Sequence, residues 1–251
     1  MTLNQGKKIY FISDFHLGVP GKEDSKTRER KLVKWFQAIS KDAQEIHLVG
    51  DIFDYWFEYK SAVPKGYVRI LGEIARLSDS GIKIYWYYGN HDMWIFDYIP
   101  DELGVEMVPN SLEKEYNGKK FFLAHGDGLG PGDRGYKFIK KVFRNRLCQW
   151  IFARFHPNFG MGLMRFFSTK SRYAEPEVEK EFKGDGKEWL QIYSEEKLKS
   201  TYFDFLVFGH RHLPLDIKVG DSSRYINLGD WLYHYTYAVF DGESMELKKW
   251  E

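Results

Sequence analysis

Five short clusters of carboxylate, imidazole and amide side chains stand out in the sequence, and each directly follows an apolar stretch. They are Asp14-Phe-His16, Gly50-Asp51-Ile-Phe-Asp54, Gly89-Asn90-His91-Asp92, His125-Gly-Asp127 and Gly209-His210-Arg-His212. Mixed imidazole and carboxylate ligands suit Mn²⁺, Fe or Zn²⁺ better than Ca²⁺. A carboxylate placed between two such ions can bridge them, as in two-metal sites that cleave phosphoesters. The residue types therefore predict a transition-metal centre with phosphoesterase chemistry.

The spacing within the clusters supports one shared centre. In Asp14-Phe-His16 and His210-Arg-His212 the ligands are two residues apart, so in extended backbone both would point to the same side. Any single cluster also has a structural explanation, since a Gly-Asp-x-x-Asp sequence is often a helix N-cap. The ordered set of five favours the metal centre, and its predicted ligands are Asp14, His16, Asp51, Asn90, His125, His210 and His212.

The elements that must position these ligands form an α/β pattern. Apolar runs at 8–13, 45–49, 82–88, 120–124 and 205–208 predict strands, as do 215–219, 225–228, 235–240 and 245–250. Helical spacing of apolar residues occupies 28–39 and 67–77. Alternating strands and helices predict a layered core with parallel strands, whose sites form at the carboxyl ends. Residues from about 133 to 200 predict helices and loops inserted into this core.

Composition limits the possible classes of protein. The chain has 251 residues, of which 43% are hydrophobic and 29% charged, which predicts one large domain or a domain with an inserted subdomain. A net charge of +1 speaks against a protein that coats nucleic acid. Cys148 is the single cysteine, which excludes an internal disulfide and is compatible with a reducing cytosol. We recognise no signal peptide and no run of about 18 apolar residues, so we expect a soluble or peripheral protein.

The predicted insertion has an unusual charge and aromatic content. Residues 134–173 include ten Lys and Arg residues, ten aromatic residues and no acidic residue, so the rest of the chain carries about −9. Three interpretations remain open. The segment could contact nucleic acid through phosphates and stacking, lie on an anionic bilayer, or form a helical subdomain with a solvated charged face. Its positive charge would also attract a pyrophosphate.

The ordered clusters resemble those of the calcineurin-like metallophosphoesterases, from Asp14 to His212. The resemblance implies an α-β-β-α sandwich with a core of residues 1–132 and 201–251 and a helical lid of residues 133–200. One metal would be held by Asp14, His16, Asp51 and His212, and the other by Asp51, Asn90, His125 and His210. Asp51 would bridge the ions, His91 would contact the phosphate, Asp92 would orient His91, and Asp54 would lie behind the ligands.

A narrower resemblance is to the UDP-2,3-diacylglucosamine pyrophosphatases of lipid A biosynthesis, which yield UMP and 2,3-diacylglucosamine 1-phosphate. It rests on His125-Gly-Asp-Gly-Leu129, Gly132-Asp-Arg-Gly-Tyr136, Asp51-Ile-Phe-Asp-Tyr-Trp56 and Asn227-Leu-Gly-Asp-Trp231. It implies Mn²⁺ as the metal, with Fe or Zn²⁺ as alternatives, and a lid with an acyl-chain pocket. Substrate contacts would involve Asp133, Tyr136, Ser171 and Arg172. The sequence departs from many members of that family by having His91 in place of an arginine.

The resemblance also implies partners and a location. We expect a lipid-linked sugar nucleotide as substrate and an anionic membrane surface as partner, at the cytoplasmic face of the inner membrane. Nucleic acid and an obligate protein partner are not expected. The main alternative is a metallophosphodiesterase of the same fold that acts on a soluble nucleotide or on nucleic acid. A further alternative, a non-catalytic binding module, is disfavoured by the complete ligand set.

Overall fold

The computed structural model describes residues 1–131, 134–174, 182, 184 and 186–251, and for 134–136 and 171–174 the backbone alone. Its strands are β1 (Lys8–Ile12), β2 (Ala43–Leu48), β3 (Lys83–Tyr87), β4 (Glu106–Val108), β5 (Ser111–Tyr116), β6 (Lys119–Ala124), β7 (Phe205–Phe208), β8 (Pro214–Val219), β9 (Ser223–Leu228), β10 (Thr236–Phe240) and β11 (Met245–Lys249). Its helices are α1 (Ser25–Ile39), α2 (Val68–Asp79), α3 (Tyr98–Leu103), α4 (Arg134–Phe143), α5 (Arg146–Phe152), α6 (Pro157–Ala174) and α7 (Trp189–Leu198).

Two mixed sheets form the centre of the molecule. The first has the order β11-β10-β1-β2-β3-β4, and the second has the order β5-β6-β7-β9-β8. Strands β1 to β4 are parallel, and so are β6, β7 and β9. Strands buried on both faces read as continuous apolar runs, which explains why the sequence reveals them clearly.

The core is layered, as the sequence predicts. On β1, Phe11 packs between the sheets against residues such as Phe121, whereas Tyr10 faces the other way and packs on Trp35 of α1. On the far side, Leu190 of α7 packs against Phe208 and Tyr225 of the second sheet. The order of layers is therefore helix, sheet, sheet, helix.

Some boundaries differ from those indicated by the sequence. Helix α1 begins at Ser25 rather than at residue 28, because the carboxylate of Asp24 accepts hydrogen bonds from the amides of Lys26 and Thr27. Strand β5 lies at a sheet edge with alternating exposed residues, so its apolar signal is weak. Helix α7 falls inside the predicted lid of residues 133–200 but packs with the core.

Helices α4 to α6, the inserted helices, dock on the loops that follow β2 and β3. Phe152 of α5 packs against Phe57 and Trp94, with ring centroids 4.8 Å apart in both pairs. The indole Nε1 of Trp94 donates a hydrogen bond of 2.7 Å to the carbonyl of Phe143 at the end of α4. These loops also carry Asp51 and Asn90, so the insertion contacts the segments that hold predicted ligands.

Replacing Trp94 with phenylalanine should loosen this docking. The change Trp94→Phe keeps an aromatic ring but removes the shorter of the two side-chain hydrogen bonds to the Phe143 carbonyl, which also accepts from Gln149 Nε2 at 3.1 Å. The expected cost is about 1 kcal/mol. We expect faster tryptic cleavage within α4–α6. The control is Trp150→Phe, because Trp150 is 56% exposed. Equal cleavage rates for the two variants would contradict the anchoring role.

Candidate metal centre

The carboxyl ends of five parallel strands bring the predicted ligands together. Asp14 follows β1, Asp51 follows β2 and Asn90 follows β3 in the first sheet; His125 follows β6 and His210 follows β7 in the second. Because the ends of both sheets meet along one edge of the sandwich, ligands far apart in sequence converge. His16 and His212, for example, are 196 residues apart and in contact.

The first group of ligands comprises Asp14, His16 and His212. The Nε2 atoms of His16 and His212 are 3.0 Å apart, and His212 Nε2 lies 3.2 Å from Asp14 Oδ1. All three residues offer ligand atoms within 4.8 Å of one another. Two imidazole nitrogens and a carboxylate oxygen that face a common point can hold a divalent transition metal.

The second group comprises Asp51, His125 and His210, whose ligand atoms also lie within 4.8 Å of one another. His125 Nε2 is 3.3 Å from Asp51 Oδ2 and 3.2 Å from Asn90 Oδ1. The same Asp51 oxygen lies 3.6 Å from His16 Nε2 of the first group. Asp51 therefore stands between the two groups, where a bridging carboxylate would be needed.

The electrostatics of these groups fit bound cations. Burial alone would raise the pKa of Asp14 and Asp51, but His212 and His125, respectively, hold the pKa of each carboxyl well below its usual range. Burial alone would lower the pKa of His125, yet the Asp51 carboxylate raises it to about 10. Asp14 Oδ1 is buried and accepts no hydrogen bond from the described residues. Buried carboxylates of this kind need positive charge nearby, and divalent ions would provide it.

The backbone at the ligands is left-handed rather than extended. Asp14, His16, Asp51, His210 and His212 all have φ between 44° and 69°. The expectation that Asp14-x-His16 and His210-x-His212 are extended was therefore wrong. Non-glycine residues rarely adopt this conformation, and it persists only where the surroundings impose it. The ligand groups converge because each chain segment turns sharply after its strand.

Arg28 imposes part of this conformation, a role that the sequence did not reveal. Its side chain is completely buried, and its guanidinium donates to the carbonyls of Phe15, His16 and Val19 at 2.6–2.9 Å. An arginine in the first turns of an amphipathic helix looks like a solvated residue in sequence. On the other side of the centre, Arg211 forms a two-bond ion pair with buried Glu188. The hydrogen bonds of Arg28 and the ion pair of Arg211 fix the segments that carry His16, His210 and His212.

Oxygen atoms lie beside the outer nitrogens of two ligand histidines. His125 Nδ1 donates to the carbonyl of Val49 at 2.8 Å, and His16 Nδ1 lies 3.4 Å from Asp54 Oδ1. In both rings Nε2 faces the other ligands. Such partners set the orientation and tautomer of metal-binding histidines. Asp54 therefore lies beside the outer nitrogen of His16.

His91 lies at the edge of the centre, and its partner differs from the expected one. Its amide donates to Asp51 Oδ1 at 2.9 Å, and its Nδ1 donates to the carbonyl of Asp54 at 2.9 Å. Asp92, which we expected to orient His91, instead accepts hydrogen bonds from the amides of Ile52 and Gly89 at 2.8 and 2.9 Å. Asp92 therefore joins the loops after β2 and β3, while Asp54 contacts the imidazole of His91.

Ser168 of α6 reaches the centre, which the sequence did not indicate. Its hydroxyl donates to Asp54 Oδ2 at 2.6 Å and lies 3.5 Å from His91 Nδ1. A serine in an aromatic helix carries no motif that would reveal this contact. Of the expected lid contacts, Asp133 lies outside the described residues, as do the side chains of Tyr136, Ser171 and Arg172. Their roles stay predictions.

Comparison with known proteins agrees with this geometry. Residues 7–214 match the calcineurin-like phosphoesterase family. The chain belongs to this family. Calcineurin-like phosphoesterases are metal-dependent hydrolases, and the candidate ligand clusters described above suit that chemistry. The layered fold predicted from the resemblance is thereby confirmed.

The phosphoesterase is also similar to curated relatives over nearly its whole length. It is 39% identical over 97% of its chain to a UDP-2,3-diacylglucosamine hydrolase of Porphyromonas gingivalis, of which it covers 98%. Proteins of the same name from Pseudomonas putida and Haemophilus influenzae are 29% and 27% identical, over 89% and 96% of the chain and 90% and 97% of their own length. The similarity therefore spans the inserted helices as well as the core.

Metal content should separate the roles of two aspartates. Asp14 belongs to one ligand group, whereas Asp51 stands between both. After loading with Mn²⁺ and desalting, we expect about two ions per wild-type chain, about one for Asp14→Asn and none for Asp51→Asn. Atomic absorption measures this, with the exposed Asp97→Asn as control. Full occupancy in Asp51→Asn would contradict a bridging carboxylate.

Proposed function

We propose that this phosphoesterase hydrolyses the pyrophosphate bond of UDP-2,3-diacylglucosamine and releases UMP and 2,3-diacylglucosamine 1-phosphate. The observation that carries the proposal is the 39% identity, over nearly the full length of both chains, to a protein named for that reaction. A hydrolase of this substrate must combine phosphoester chemistry with a surface for acyl chains. The convergent ligand groups support the first requirement, and the aromatic inserted helices support the second.

The ligand geometry supports an assignment of two metals, for which Mn²⁺ is our proposal. One ion would be held by Asp14, His16, Asp51 and His212, and the other by Asp51, Asn90, His125 and His210. Imidazole, carboxylate and amide donors suit Mn²⁺, with Fe and Zn²⁺ as alternatives. When bound, the two ions would supply Lewis acidity for the phosphoryl oxygens and activate the attacking water.

His91 is the candidate for the proton donor. Its ring lies 4.8 Å from that of His16, and its side chain is 16% exposed, so a phosphate at the ligand groups could reach it. The Asp54 carbonyl accepts a hydrogen bond from Nδ1, and Nε2 would be the nitrogen that acts on the substrate. As an imidazolium, His91 would stabilise charge that develops on the phosphate or the leaving group.

The direct test is product release from the acylated substrate. Mn²⁺-loaded protein should release UMP from UDP-2,3-diacylglucosamine, and His91→Asn should lower kcat by about 10²-fold or more because a proton donor is lost. The matched substrate control is UDP-N-acetylglucosamine, which has the same pyrophosphate without the two acyl chains. Equal turnover of both substrates would overturn the proposed specificity and favour the soluble-nucleotide alternative.

We further propose that the inserted helices lie on an anionic membrane surface, at the cytoplasmic face of the inner membrane. In these helices Phe138, Trp150, Phe159, Phe166 and Phe167 are 56–67% exposed. They are interleaved with cationic residues and with no acidic residue between 134 and 173. Among the described residues no helix is both long and apolar enough to cross a bilayer. Exposed aromatic rings beside Lys and Arg suit an interfacial position.

Vesicle binding tests the membrane proposal separately from catalysis. We expect co-sedimentation with phosphatidylglycerol vesicles, weaker binding to phosphatidylcholine vesicles, and weakening by salt because the attraction is partly electrostatic. The double variant Phe138→Ser/Phe166→Ser should lose most of the binding. Val68→Ser is the control, because Val68 is 74% exposed on α2 of the core. Unchanged binding of the double variant would contradict the proposed surface.

A further inference from the structure

His212 is held between the ligand groups and a carboxylate that follows β9. Its Nε2 faces Asp14 and His16, whereas its Nδ1 lies 3.5 Å from Asp230 Oδ2. The His212 side chain is 31% exposed, so close packing does not by itself fix the orientation of its ring. His16 and His125 each have an oxygen beside the outer nitrogen, from Asp54 at 3.4 Å and from Val49 at 2.8 Å, and Asp230 occupies the equivalent position for His212.

Asp230 is itself rigidly placed. It is 1% exposed, and its Oδ1 accepts hydrogen bonds of 2.9 Å from the amides of both Tyr233 and His234. The neighbouring amide of Trp231 donates to the carbonyl of Asp14 at 3.0 Å, which joins this turn to a ligand residue. Within the described parts of the chain, no hydrogen bond reaches Asp230 Oδ2. One oxygen therefore fixes the turn, and the other faces His212.

His234 also contacts the carboxylate of Asp230. His234 Nδ1 lies 3.3 Å from the same Oδ1 that caps the turn. Oδ1 therefore contacts the turn and His234, whereas Oδ2 faces Nδ1 of His212.

We propose that Asp230 is a positioning residue that orients His212 and sets its tautomer, with Nδ1 toward the carboxylate and Nε2 presenting its lone pair to a metal. The inference deepens the proposed function, since it rests on the metal assignment but not on the substrate. A carboxylate behind a ligand histidine increases both the basicity of the ring and its orientational order. Loss of that carboxylate should weaken the ion beside Asp14 more than the ion beside His125.

The alternative is that Asp230 only caps a turn. Asp241 provides a matched comparison, because its Oδ1 accepts from the amides of Glu243 and Ser244 at 2.9 and 2.8 Å in an exposed turn. Asp241→Asn therefore removes the same charge from a similar turn. Asp230→Asn can keep one oxygen acceptor for the turn amides. It removes the carboxylate oxygen and the negative charge that face His212.

The experiment is a metal titration of metal-free protein against a competing chelator. Asp230→Asn should weaken the affinity for one Mn²⁺ by 10–100-fold, while thermal unfolding of its metal-free form stays close to that of wild type. Asp241→Asn should retain the wild-type affinity, and excess Mn²⁺ should restore occupancy in Asp230→Asn. Wild-type affinity in Asp230→Asn, or an equal loss in both variants, would overturn the inference. Neither result depends on whether the diacylated substrate is hydrolysed.

Discussion

The burial of carboxylates and imidazoles at one edge of the sandwich is the constraint on which the structure depends. Asp14 and Asp51 are almost inaccessible to water, and isolated charges in such positions are costly. Nearby histidines offset part of this cost, which is why the pKa of His125 is raised to about 10. Two divalent ions would offset the cost of burying these carboxylates more completely, and the histidines would not need to be protonated. The left-handed ligand residues, the buried Arg28 and the partners of the outer histidine nitrogens all serve to keep these groups together.

The same constraint connects the ligand groups to the inserted helices. The loop after β2 carries Asp51, Asp54 and Phe57, and the loop after β3 carries Asn90 and Trp94. Phe57 and Trp94 pack on the inserted helix α5, and Ser168 of α6 donates to Asp54. A movement of the inserted helices would therefore reach the residues that orient His16 and His91. The ligand centre and the candidate surface for acyl chains are parts of one connected structure.

The sequence was most informative where residue type and burial agree. The strands that end in ligands are apolar on both faces, so their limits and the residues after them were predicted to within a few residues. The buried histidine of β2, His47, lies in one of these apolar strands, with Tyr87 and Tyr116 at its two ring nitrogens.

The sequence was least informative where a long-range contact decides the role of a residue. Arg28 looks like a helix-surface residue, and Ser168 carries no motif. Asp92 stands next to His91 in sequence but bonds to two backbone amides instead. The left-handed conformation of the ligand residues also depends on contacts with distant segments such as Gly50 and Glu188. Spacing along the chain identifies ligands, but it does not reveal which atoms hold them.

Two cations would neutralise the buried charge around Asp51. Anomalous diffraction from a crystal of the Mn²⁺-loaded protein, measured at the manganese edge, tests it most directly. We expect two peaks about 3.5–4 Å apart, with the Asp51 carboxylate between them, one beside His212 and the other beside His125. A single peak, or two peaks that do not share Asp51, would contradict it.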